Sequence, residues 1–179
     1  MTSFITLPGI GGSGETHWQT HWEASDPCFT RFHPSDWDKP HLADWQDALE
    51  RQIDNSPSPP VLVAHSLACL LVAHAAETVA GRVMGAFLVA VPDPASAAFP
   101  AAAASFANPP RHRLPFPTLI VASANDPYAT PDYVKERAEE WGAGFVEIGP
   151  CGHINGASGL GIWDQGRMLF GAFCAGLRS

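Results

Sequence analysis

Pro60-Val61-Leu62-Val63-Ala64-His65-Ser66-Leu67-Ala68-Cys69-Leu70-Leu71-Val72 is the stretch whose reading decides the fold. Val61 to Ala64 is an unbroken apolar run without in-out alternation, as in a strand covered on both faces of a parallel sheet. Leu67, Leu70 and Leu71 then recur at helical spacing, so a helix begins where the strand stops. Between the two sits Ser66, with Ala64 and Ala68 two residues away on either side. A nucleophile elbow, the strained turn that lifts a serine above a sheet, has this form. Small neighbours are needed because a larger side chain would strike the backbone as it doubles back. The usual pattern has glycine at both small positions; this chain has alanine at both. The competing use of a serine here is a plain helix N-cap, with Oγ accepting a backbone N–H.

The rest of the chain repeats the alternation of strand and helix. Phe4-Ile5-Thr6-Leu7 reads as a first strand, running into Pro8-Gly9-Ile10-Gly11-Gly12-Ser13-Gly14. Residues 16–24 read as a helix and residues 28–33 as an edge strand. Leu42, Trp45, Leu49 and Ile53 mark an amphipathic helix, ended by the proline-rich residues 55–60. Residues 85–91 form the next buried strand. The Ala-rich residues 95–107 are bounded by prolines and read either as a short helix or as a mobile rim over the sheet. A strand over 117–122 follows, then a helix capped by Thr130 with Pro131 at its first position and Val134, Ala138 and Trp141 inward. Residues 144–148 give a last strand, and Leu169, Phe170, Phe173 and Leu177 the stripe of a closing helix. Strands alternating with helices predict an α/β fold, a three-layer αβα sandwich with a mostly parallel sheet. The expected organisation is one domain spanning residues 1–179.

Composition narrows the function. Hydrophobic residues make up 46% and charged residues 16%, as in an ordinary compact protein. The net charge is −8 and the ten Lys and Arg residues are scattered, so the basic stripe that nucleic acid or an anionic membrane requires is not expected. No run approaches the roughly 20 apolar residues of a membrane span. Met1-Thr2-Ser3 lacks a basic start and the apolar run after it stops at Pro8, so a cytoplasmic protein is expected. Cys28, Cys69, Cys151 and Cys174 form no CxxC pair, which argues for thiols over zinc or disulfides.

In parallel sheets, ligands bind where strands end at their carboxyl side. Ser66, Asp126 and His153 each follow a different predicted strand, so all three project over one edge of the sheet. Serine needs a base to become a nucleophile, and imidazole takes a proton near neutral pH. A carboxylate on the far ring nitrogen fixes the tautomer and stabilises the imidazolium. The order Ser, Asp, His is that of the nucleophile-elbow hydrolases. Backbone N–H groups of Leu67, after the nucleophile, and of Ile10, in the glycine loop, are the candidate oxyanion donors, with Gly11 in reserve. The glycine loop fits neither GxGxxG nor a Walker motif, so a nucleotide site is the weaker reading. His17 and His21 stand at the i, i+4 spacing of metal ligands but lack a third ligand, so packed or solvated histidines are expected and no metal or cofactor. Cys151, two residues from His153, is a poorer nucleophile candidate because one loop hardly brings both into line. Trp18, Trp37, Phe99 and Trp163 are the expected pocket walls, with Trp18 and Trp163 as substrate-binding residues.

Four motifs stand in order along the chain: Leu7-Pro8-Gly9 with His17-Trp18, Ala64-His65-Ser66-Leu67, Asn125-Asp126-Pro127-Tyr128, and Gly152-His153-Ile154-Asn155 leading to Ser158-Gly159-Leu160-Gly161. On these the chain resembles the small serine hydrolases of the retinoblastoma-binding-protein and YdeN-like type, within the α/β-hydrolase superfamily. The resemblance covers nearly the whole length. It implies a compact α/β-hydrolase fold without a cap domain and a triad on Ser66, Asp126 and His153. Ala68 departs from it, standing where the family usually has glycine. The implied activity is cleavage of small esters through an acyl-serine intermediate. A protein-binding module with a vestigial site is the alternative, and a protein partner stays open.

Overall fold

The computed structural model describes residues 3–177; Met1 and Thr2, part of the reading of the chain's start, lie outside the described residues. Six strands form one sheet: β1 (Phe4–Leu7), β2 (Phe29–Arg31), β3 (Val61–His65), β4 (Gly85–Val89), β5 (Thr118–Ala122) and β6 (Gly144–Glu147). Their order is β2-β1-β3-β4-β5-β6, and every pairing is parallel. The expected edge strand is β2, three residues long. Short edges of this kind offer little unpaired backbone to another chain.

The helices are α1 (Trp18–Ser25), α2 (Leu42–Asp54), α3 (Leu67–Val79), α4 (Pro131–Trp141) and α5 (Asp164–Gly176). Side chains that alternate along the central strands divide the interior into two cores. Leu62, Ala64, Ala86 and Leu88 face one core, with Trp45 and Leu49 of α2, most of α3, and Val134 and Trp141 of α4. Val61, Val63, Phe87 and Val89 face the other, with Trp18 and Trp22 of α1 and Phe170 and Cys174 of α5. That is the three-layer sandwich expected from the apolar runs of β3 and β4, whose residues are all buried. Among the described residues no cap domain stands over the sheet.

Two boundaries have local causes. Thr130 caps α4 through its hydroxyl, which accepts the Tyr133 N–H at 3.3 Å, with Pro131 at N1. β4 stops at Val89 rather than continuing to Val91, because Ala90 takes φ +58° and turns the chain out of the sheet. The Ala-rich segment resolves into a 3-10 helix, Ala101–Phe106, between Pro100 and the Pro109-Pro110 pair. Phe106 is fully buried with its ring 5.4 Å from that of Trp45, while Phe99 and Pro100 stand at the mouth of a cavity above the sheet. The segment is therefore a short helix whose preceding residues reach the cavity lining. No helix among the described residues is long and apolar enough to cross a membrane.

Candidate active site

Ser66 leaves β3 with φ +56° and ψ −126°, a conformation an L-residue adopts only where its surroundings impose it. The room comes from Gly9: a Cβ there would lie 2.9 Å from Ser66 Cβ and 3.2 Å from the His65 carbonyl oxygen. Ser66 occupies the N-cap position of α3 yet makes no side-chain capping bond. Its Oγ instead lies 2.7 Å from His153 Nε2.

The far nitrogen of that imidazole, Nδ1, stands 2.9 and 2.8 Å from the two Asp126 carboxylate oxygens. An ionised carboxylate only accepts, so Nδ1 carries the proton and Nε2 presents a lone pair to the Ser66 hydroxyl. Both groups are shielded, with side-chain exposures of 9% for His153 and 4% for Asp126. The Tyr128 N–H donates to Asp126 Oδ1 at 2.9 Å, and the Tyr128 ring packs 4.4 Å from the imidazole. These residues come from the ends of β3 and β5 and the loop after β6, three parallel strands whose carboxyl ends share one rim.

Ile10 and Leu67 line a cavity of about 320 Å³ above this contact. Leu67 is the first residue of α3, where N–H groups lack helical acceptors and the helix dipole favours negative charge. In the glycine loop, the Gly11 N–H donates to the Trp37 carbonyl at 3.0 Å and the Gly12 N–H to the Gly9 carbonyl at 3.1 Å. Gly11 is thereby committed elsewhere, which leaves Ile10 as the loop's candidate donor.

Two buried histidines flank the site. His17 caps α1 by accepting the Gln19 N–H on Nδ1 at 3.2 Å, so its proton sits on Nε2. Burial lowers its pKa from the usual 6.5 to about 3, helped by the positive charge of Arg31 and by His153 and His21. His65 is held well below the ordinary histidine range by burial, then by His17 and His153. Both are neutral at physiological pH. Among the described residues no group of three His, Cys, Asp or Glu side chains is placed to hold a metal ion.

Residues 4–172 match the serine hydrolase family. The chain belongs to that family. It also resembles a protein described as a YdeN-like hydrolase from Pectobacterium atrosepticum at 29% identity, with a TM-score of 0.89 over 99% of this chain and 92% of that one. The ydeN product of B. subtilis superposes at a TM-score of 0.76 with 17% identity, over 98% of this chain and all of that one. A monoacylglycerol lipase from Paleococcus ferrophilus shares the fold at 0.69 and 14% identity, over 98% and 95% of the two chains. No curated protein sequence matches. Family and fold together make this a serine hydrolase with the fold of the YdeN-like and α/β-hydrolase structures it resembles.

The expected walls of this serine hydrolase's pocket need correction. Trp18 and Trp163 are 1% and 3% exposed and belong to the second core, with ring centroids 5.1 Å apart. Trp163 lies so close over Gly166 that a Cβ there would fall 2.1 Å from its ring. Trp37 supports the glycine loop from the first core, and of the four proposed walls only Phe99 lines the cavity. Cys151 does not line the cavity, and its thiol is directed at the Ile148 carbonyl at 3.8 Å. Cys28, Cys69 and Cys151 are free thiols. His65 and Tyr128 also border this site, and no motif in the sequence assigns either a role. Their signal is position alone: one precedes Ser66 and the other follows Asp126 by two residues.

Proposed function

We propose that this hydrolase cleaves small, uncharged carboxylic esters through an acyl-Ser66 intermediate. The observation that carries the reading is the 2.7 Å approach of Ser66 Oγ to the unprotonated Nε2 of an imidazole whose other nitrogen faces Asp126. In the first half-reaction Ser66 Oγ attacks the ester carbon and His153 Nε2 takes its proton. Asp126 stabilises the imidazolium, and the N–H groups of Ile10 and Leu67 receive the charge that develops on oxygen. Collapse expels the alcohol, which takes the proton back from His153. Water, deprotonated by the same nitrogen, then attacks the acyl carbon and releases the acid.

The cavity supports the substrate class. Ile10, Leu67, Pro92, Phe99 and Tyr128 make an apolar wall, facing Thr16 and Asn155. No Lys, Arg, Asp or Glu lines the space, and of its three histidines the two beside His153, His17 and His65, are neutral. With a chain charge of −8, an anionic acyl group finds neither a partner nor a favourable field. The volume, about 320 Å³, is at the lower end for a ligand pocket and suits a short acyl chain. Labelling with a fluorophosphonate tests the assignment. Folded protein should label at Ser66 and hydrolyse nitrophenyl acetate and butyrate, and Ser66→Ala should do neither. Unchanged labelling in that variant would remove the reading.

A further inference from the structure

The reaction sequence gives His65 no chemical step, yet this residue joins the two halves of the site. Its Nε2 lies 2.9 Å from the backbone carbonyl oxygen of His153, 88 residues away. A carbonyl only accepts, so the proton is on Nε2 and the bond runs from His65 to the loop that carries the base. The same ring is 4.9 Å from that of His153 and 4.7 Å from that of His17.

The remaining anchors of that loop divide by side. Its N-terminal half hangs from the loop after β5: the Cys151 N–H donates to Ser123 Oγ at 2.9 Å and the Gly152 N–H to Asn125 Oδ1 at 2.7 Å. Those bonds fix His153 relative to Asp126. They do nothing to fix it relative to Ser66. On the far side, Trp18 Nε1–H donates to the Ile154 carbonyl at 2.8 Å, holding a β-branched residue at φ +48°. Such a conformation persists only where surrounding contacts over-determine it. His65, the residue before the nucleophile, supplies the link from the β3 end.

We propose that His65 is a positioning residue that registers the His153 imidazole against Ser66, by tying the nucleophile's own strand to the base's loop. It touches no reacting atom. Its effect is exerted through the 2.7 Å contact between Ser66 Oγ and His153 Nε2, where a displacement of about 1 Å is worth on the order of a hundredfold in rate.

The inference rests on the hydrolase reading, and the two fail separately. A parent protein that does not label at Ser66 removes that reading; a parent that labels while the variants below match it removes this one. Three substitutions are compared: His65→Met, apolar and without a donor; His65→Gln, whose amide reaches as far as Nε2; and His65→Asn, the same amide one carbon shorter. The readouts are kcat and KM on nitrophenyl butyrate, the fluorophosphonate labelling rate, and folding by circular dichroism. His65→Met and His65→Asn should lose ten- to a hundredfold in kcat and in labelling rate, with KM within about threefold. His65→Gln should recover most of that loss. If His65→Met does not fold, the comparison of Gln with Asn decides. Equal kcat in those two folded variants, or parental kcat in His65→Met, overturns the proposal.

Discussion

Mild acid should destabilise this protein through His17, and the size of the effect follows from its burial. The side chain is 5% exposed, accepts a hydrogen bond on Nδ1, and has its pKa lowered from 6.5 to about 3. In the unfolded chain the same imidazole titrates near 6.5, so as pH falls the unfolded state binds the proton first. Stability from a neutral His17 is therefore fully present above pH 6.5 and is lost progressively down to about pH 3. Between pH 7 and pH 5 the loss is about 2 kcal/mol, one and a half units below 6.5 at about 1.4 kcal/mol each. For a domain of this length that lowers Tm by about 4–8 °C. His65 is depressed by the same burial and adds a loss of the same sign. The assay is urea unfolding at pH 7 and pH 5 for the parent and for His17→Asn, whose side-chain oxygen can still accept the Gln19 N–H at the start of α1. The variant should lose about 2 kcal/mol less than the parent over that interval, because His65 and the carboxylates contribute equally to both. Identical pH dependence in the two proteins would refute the reasoning.

Gly9→Ala should cut kcat/KM about ten- to a hundredfold, because the new Cβ would stand 2.9 Å from Ser66 Cβ and displace the elbow; parental rates on a short ester would show that no such close approach exists. Phe99→Ala should move the preferred acyl chain longer by a few carbons, since Phe99 forms part of the apolar cavity wall. Rates across an acetate-to-octanoate series check this, and an unchanged optimum counts against Phe99 as a wall.

Local patterns made most of the architecture legible. An apolar run without alternation, followed by leucines at helical spacing, located β3 and α3, and the same logic placed every other strand within two residues. The errors came where a decision depended on distant chain. A tryptophan on an apolar helix face packs against a core or a cavity with equal ease. Trp18 and Trp22 point into the second core because the chain some 140 residues later covers them: the Nε1–H of Trp22 reaches the Ile162 carbonyl at 2.7 Å, and Phe170 of α5 packs 5.6 Å from its ring. One residue earlier on the same segment, His17 borders the cavity. His17 is the extended N-cap and Trp18 the first helical residue, so the helix period does not settle which way either faces. Ala90 is a different failure: nothing in its side chain announces a positive φ. The role of His65 depends on a partner 88 residues away, invisible to any local window.

The residues in left-handed backbone connect the fold to the chemistry. Among the described residues, four non-glycine residues have positive φ: Ser66, Ala90, Ile154 and Trp163. Ser66 and Ile154 bracket the contact between Ser66 Oγ and His153 Nε2. Ala90 lies beside them, because the Ser66 N–H donates to Val89 O at 2.9 Å and the Ala90 N–H to Val121 O at 3.0 Å. Each such residue costs on the order of 1–3 kcal/mol, and three of them cluster where β3, β4 and the loop after β6 reach the same rim. The packed cores on both faces of the sheet make that strain sustainable, since close-packed side chains cannot relax one element without moving its neighbours. Strain and the Ser66–His153 contact thus share one support. Loosening β3 or α3 from beneath should relax Ser66 toward ordinary backbone angles, and the 2.7 Å contact should then be lost before the sheet is.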